Sequence, residues 1–235
     1  MSKKQVKAKK KSENIVLAVL ILVVVFFLGI GIYNSLPAKD ETATDTQLTS
    51  NDTTEQNVQN NTDTKDLLIE VTDTERKDVE FEMTDGQKFT ITVYPDVAPQ
   101  SAQNFLNLCR EGFYDGLTFH RVIDGFMAQG GCPNGNGTGG SGKNIYGEFS
   151  ANGYDNPLQH KRGVVSMARG GYDFNSASSQ FFICYTDYPS LDGQYAAFGE
   201  VKNGMEVVDS FLLAGTDEYD RPKKEVKIKT AKVIE

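Results

Sequence analysis

The sequence predicts a mainly β domain, a closed β-barrel whose ends are plugged by two α-helices, carried behind an apolar N-terminal helix and a polar linker. Three observations predict it. After about residue 78 the chain is a series of short apolar runs, some with the two-residue period of half-buried strands, separated by turns rich in Gly and Asn. Only 98–110 and 205–213 carry the spacing of an amphipathic helix in that region. The part before it holds one long uncharged apolar run and then a segment almost free of large apolar groups.

Residues 1–14 are a basic tail with six lysines: Lys3, Lys4, Lys7, Lys9, Lys10 and Lys11. Residues 15–33, Ile15 to Tyr33, contain no charge and as a helix would reach about 28 Å, enough to cross a bilayer. Acids follow at Asp40, Glu41 and Asp45, so the positive-inside rule leaves the tail cytoplasmic and the remainder exported. Leu36-Pro37-Ala38 is a poor cleavage site, which favours a retained signal anchor and a single-pass protein of the cell membrane; secretion after cleavage is the alternative. No cysteine near this segment could carry a lipoprotein anchor. Residues 34–65, rich in Thr, Asp, Asn and Gln, are expected to be a disordered linker with an end-to-end distance of about 30 Å.

The expected globular domain spans 66–235, with its core at 78–235, and the status of Leu67-Leu68-Ile69-Glu70-Val71 stays open. Alternation over Asp78 to Met83, an Asp85-Gly86 turn and renewed alternation at Phe89, Ile91 and Val93 predict a hairpin. Ala102, Phe105, Leu106 and Cys109 line one face of a helix that starts near Pro99 and stops at Gly112. A second helix fits Met205 to Leu213, ended by Gly215. Apolar runs at Gly163 to Ala168, Gln180 to Cys184 and Val226 to Lys229 supply further strands.

Composition narrows the chemistry. The net charge is −8, but the first thirteen residues hold six lysines and one acid, so the rest carries 18 basic against 31 acidic residues, a balance of −13. No nucleic-acid partner is expected, because phosphate binding needs concentrated positive charge. Cys109, Cys132 and Cys184 are odd in number and lack CxxC spacing, which argues against a disulfide framework or a zinc site; Cys109 and Cys184 read as core residues. Two histidines, His120 and His160, are too few for a multi-histidine metal centre. Gly135-x-Gly137-x-x-Gly140 satisfies GxGxxG, and Gly137 to Lys143 satisfies Walker A until Asn144 stands where a hydroxyl would bind magnesium. Neither has a strand signal before it or a helix start after it, so the stretch reads as an irregular surface loop.

The most informative run is Phe119 to Gly131, in which Arg121 lies near the apolar pair Phe126-Met127 and Gln129. The whole run resembles the cyclophilin signature FHRxxxGFMxQGG, matched at every fixed position. Ser179-Gln180-Phe181-Phe182-Ile183, Leu191-Asp192-Gly193 before Phe198-Gly199, Asn136 to Gly140 and Ile145 to Glu148 agree with the same family in order. The resemblance covers about Val79 to Glu235, and the Asn175-Ser176-Ala177-Ser178-Ser179-Gln180 run is in the style of bacterial members. It implies an eight-stranded antiparallel barrel capped by two helices, with a proline-binding groove on its outer face, peptidyl-prolyl cis/trans isomerase activity and no cofactor. Position by position, Arg121 is similar to the catalytic arginine, and Phe126, Met127, Phe182 and Leu191 to the walls of the proline pocket. Gln129, Gln180 and the backbone near Ala168 and Arg169 are similar to the peptide-holding groups. Tyr195 stands on the pocket rim where many members have histidine, and Ser190 where many have the tryptophan that helps bind cyclosporin, so weakened cyclosporin binding is expected. The expected partners are proline-containing segments of unfolded or exported proteins, met by a monomer. A non-catalytic proline-peptide binding module is the alternative.

Overall fold

The computed structural model describes residues 65–234. The expected basic tail, membrane segment and nearly all of the linker therefore lie outside the described residues, among which no helix is long and apolar enough to cross a membrane.

Alternation makes the first hairpin. Strand β1 (Lys77–Met83) turns Val79, Phe81 and Met83 inward, and β2 (Lys88–Val93) turns Phe89, Ile91 and Val93 inward. The register sets Phe81 opposite Phe89, and their rings stack at 4.9 Å. Six more strands complete one antiparallel sheet: β3 (Arg121–Ile123), β4 (Met127–Gly130), β5 (Val164–Met167), β6 (Phe181–Cys184), β7 (Ala197–Asn203) and β8 (Ile228–Ile234). Their spatial order is β3-β4-β6-β5-β7-β2-β1-β8. The concave side holds a mainly aromatic core in which Phe105 meets Phe181 edge-on at 5.3 Å and Phe198 at 5.0 Å.

The expected closed barrel is corrected to a curled half-barrel. The edge strands β3 and β8 share no ladder and meet only beside their starts, at an isolated bridge between Thr118 and Lys227. Flanking bonds run from Phe119 N–H to the Val226 carbonyl (2.9 Å) and from Ile228 N–H to the Leu117 carbonyl (2.8 Å). Beyond that point β3 faces a turn: Val122 N–H donates to the Asp220 carbonyl, Asp220 sits at φ 62°, and Pro222 has no N–H. A segment bent this way cannot extend a ladder.

Helix α1 (Pro99–Arg110) packs Ala102, Phe105, Leu106 and Cys109 into the core. Its N-cap Ala98 offers no side-chain acceptor; the free N–H groups of Gln100 and Ser101 donate instead to the Glu148 carboxylate at 2.8 Å each, joined by the Ser101 hydroxyl at 2.7 Å. Burial nevertheless pushes the Glu148 carboxyl above its usual value, against the pull of those donors. Helix α2 is Met205–Ser210 only, and the expected single helix to Leu213 tightens into a 3-10 turn, Phe211–Ala214.

The open question over 67–71 resolves as a strap without strand pairing. Gln100 Oε1 accepts from Ile69 N–H at 2.6 Å, while Gln103 Oε1 accepts from Thr72 and Asp73 N–H at 2.7 and 2.8 Å. Arg110 closes the strap on Asp73 at 2.6 and 2.8 Å and holds that carboxyl below its usual range.

Candidate active site

Strand register places one set of side chains on the convex face, away from the aromatic core. Arg121 stands opposite Gln129, Gln129 opposite Phe182, and Phe182 opposite Ser166, while Met127 stands opposite Cys184. Side chains alternate across a strand, so Val122, Ala128, Phe181 and Ile183 point into the core and these residues point out. The outward set is still dry: Met127, Phe182, Cys184 and Leu191 form a second buried cluster, edged by Ile123, Phe126, Ala168 and Tyr195. Leu191 arrives from a short 3-10 turn, Pro189–Leu191, and the Phe126 ring is held at 4.6 Å by Tyr188.

This cluster floors a cleft of about 140 Å³. Every site residue expected from the sequence lines it except Gln180. Gln180 lies one step behind: its Oε1 accepts from Gln129 Nε2 at 2.9 Å, and its own Nε2 donates to the Gly137 and Gly139 carbonyls at 2.9 and 2.7 Å. The Gln129 amide is thereby fixed at the cleft edge. These bonds also settle the polarity of the glycine-rich loop. Its carbonyls face Gln180 and its Gly137 and Gly139 N–H groups donate to Cys132 Sγ at 3.2 and 3.3 Å, so those amides are not free to cradle a phosphate. At the loop's entry Gly131 has φ +81°, and a Cβ there would stand 2.5 Å from the Ser179 carbonyl oxygen.

Arg121 flanks the apolar floor with its side chain 42% exposed, and Nε lies 3.4 Å from Asp220 Oδ2. That distance is long for a charge-assisted bond, so the guanidinium keeps donors to spare. Arg169 stands across the cleft with its guanidinium 4.7 Å from the Tyr195 ring centre.

Behind Phe182 is a polar brace that the sequence reading missed. The His160 ring stacks on Phe182 at 6.0 Å; its Nδ1 is 2.9 Å from Asp192 Oδ1 and its Nε2 is 3.0 Å from the buried Ser166 hydroxyl. Burial lowers the His160 pKa and Asp192 partly restores it. The neutral ring donates from Nδ1 to the carboxylate and accepts at Nε2 from the hydroxyl, which fixes the plane on which Phe182 lies. No short-range pattern signals this, because Asp192 is 32 residues from His160; Asp220, the partner of Arg121, is more remote still. His120, inside the signature, instead lines a different cleft with Cys132; it is buried, and burial lowers its pKa.

Comparisons with known proteins agree with this geometry. The family model for cyclophilin type peptidyl-prolyl cis-trans isomerases matches residues 78–233. Peptidyl-prolyl cis-trans isomerase B of Bacillus subtilis is 48% identical over 126 residues, covering 54% of this chain and 84% of that protein. Peptidyl-prolyl cis-trans isomerase-like 1 of Aspergillus fumigatus is 44% identical over 159 residues, covering 67% and 96%. A crystal structure of a Cryptosporidium parvum cyclophilin type isomerase superposes with a TM-score of 0.62 at 31% identity, covering 68% of this chain and 99% of that one. A second structure of that protein, in the presence of the dipeptide Ala-Pro, gives a TM-score of 0.61. A half-barrel with a dry cleft on its convex face and a family match over residues 78–233 give one conclusion: the chain belongs to the cyclophilin-type peptidyl-prolyl cis-trans isomerases and is an enzyme of that class.

Proposed function

We propose that the cleft binds a proline ring against Phe126, Met127, Phe182 and Leu191, and that Arg121 stabilises the twisted imide during rotation. The planar bond resists twisting with a barrier of about 18–20 kcal/mol because rotation breaks amide resonance. In the twisted state the prolyl nitrogen turns pyramidal and recovers its lone pair. A donor aimed at that nitrogen bonds the transition state and scarcely touches the planar ground state. Arg121 fits because its guanidinium is always charged and offers several donors in a fixed fork. One such bond is worth about 1.5–3 kcal/mol, roughly one to two powers of ten in rate. The dry walls supply more by holding the ring while the acyl side turns and by favouring the less charge-separated twisted amide. Gln129, fixed from behind by Gln180, and the backbone at Ala168 and Arg169 orient the flanking peptide, with Tyr195 closing the rim. The observation that carries the reading is the Arg121 guanidinium at the edge of a cleft whose floor is apolar.

The clients we propose are exported proteins, reached by an enzyme anchored through residues 15–33 and spaced from the membrane by 34–65; support comes from the uncharged run and its flanking charges. A protease-coupled assay on a proline tetrapeptide tests the catalytic part. Arg121→Ala should lower kcat/KM by roughly ten- to a hundredfold with an unchanged circular dichroism spectrum. A variant of near-normal rate removes Arg121 from the mechanism.

A further inference from the structure

Next to the proline cleft lies a larger one of about 450 Å³, and Gln129, Ala168 and Arg169 belong to the walls of both. A peptide continuing from one into the other passes Arg169. The rest of the larger cleft's lining consists of Gly, Ser, Thr, Asn, Gln and Ala, so Arg169 is its only charged residue. The chain around it is acidic, with net charge −8. A cation that faces a neutral cleft in an acidic protein calls for an explanation.

Arg169 is also fixed without an acid. Its guanidinium carbon lies 4.7, 4.9 and 5.2 Å from the ring centres of Tyr195, Phe174 and Phe149. Nε donates to the Gln194 carbonyl at 3.0 Å and Nη1 to the Gly170 carbonyl at 2.9 Å. Among the described residues Arg76, Arg110, Arg121 and Arg162 each meet a carboxylate, whereas no ion pair includes Arg169. Neutral carbonyls and ring faces hold the side chain in place and leave its charge uncompensated. A carboxylate arriving from a ligand has no internal rival to displace, and little side-chain freedom remains to be lost on binding.

We propose that Arg169 is a specificity-determining residue, selecting proline peptides that carry a carboxylate side chain at the position passing between the two clefts. The inference rests on the active-site reading above and adds a substrate class to it. A structural strut would need the rings and carbonyls but would have no effect on the charge of the substrate.

The test uses the full chain and four sets of tetra- or pentapeptides, with Glu, Gln or Lys placed one or two residues before, or one or two residues after, the proline. At one position kcat/KM for Glu should exceed that for Gln by roughly three- to tenfold, with Lys below both, and the ratio should shrink as salt is raised. In Arg169→Gln the Glu-to-Gln ratio should fall to about one, while Arg169→Lys should keep part of it. A ratio near one at all four positions in the unaltered protein overturns the inference and leaves the active-site reading standing, as does a ratio that survives Arg169→Gln. Failure of the unaltered protein to accelerate any peptide overturns both. The first arm and the salt series need no variant, so a misfolded substitution cannot decide the outcome.

Discussion

Phe182 is a side chain held from both faces of its environment. It is 5% exposed, with Tyr195 edge-on at 5.8 Å on the cleft side and the His160 ring stacked behind. Phe182→Ala should therefore raise KM for a proline peptide and lower kcat/KM by at least tenfold, since removing a buried ring costs about 3–5 kcal/mol of packing where the site cannot collapse. An unchanged peptide titration would take Phe182 out of the pocket. His160 adds a pH dependence. Burial holds both histidines below their ordinary value near 6.5, so as the pH falls the unfolded chain takes up protons first. Their contribution to stability is complete above about pH 6.5 and is lost as pH falls from there through the folded-state values. Glu148, raised by burial, acts with the opposite sign. The clean readout is thus a difference: between pH 7.5 and 5 the melting temperature of the native protein should fall more than that of His160→Asn. Equal slopes would contradict the buried neutral ring. Arg121 and Phe182 were legible as letters of a motif. His160 and Asp220 were not, and Asp192, a letter of the Leu191-Asp192-Gly193 block, gave no sign of its role, because these roles come from partners that only the folded sheet brings near.

Among the elements, those whose burial pattern is local could be read in advance. The β1–β2 hairpin follows from two-residue alternation and Asp85-Gly86, and α1 from the spacing of its apolar face. Strands β3 and β4 have only three and four residues, too short for any period to show, and neither was placed from the sequence. The open edge could not be read either, since it depends on the bend at Asp220 and Pro222 rather than on any property of β3 or β8. Helix α1 illustrates the same limit at its N-terminus, whose cap comes from Glu148, 47 residues downstream of Ser101. Glu148→Ala removes an acceptor shared by two N–H groups and a hydroxyl in a buried place, and should lower the unfolding free energy by about 1–3 kcal/mol in a urea titration. A loss below 0.5 kcal/mol, taking about half the usual value of one hydrogen bond as the threshold, would mean that water replaces the cap.

At the level of the whole molecule, the fold separates two apolar regions with one sheet: the concave side builds the aromatic core, and the convex side gathers Met127, Phe182, Cys184 and Leu191 beneath the cleft. Gln103 and Arg110 hold the strap over 67–73 against helix α1. If residues 15–33 anchor the protein, the full chain should stay with membranes through alkaline carbonate extraction, and a chain lacking 1–33 should be released; extraction of the full chain would end the anchor proposal. The catalytic claim is decided elsewhere, by separating turnover from affinity. Two-dimensional exchange NMR on a proline peptide at saturating enzyme reports the cis–trans interconversion rate of bound peptide, and a titration in the same sample reports its affinity. For Arg121→Ala the expected interconversion rate is lower by roughly ten- to a hundredfold, with affinity changed by less than about threefold. A bound-state rate equal to that of the unaltered enzyme, with the whole loss appearing as weaker binding, would contradict it.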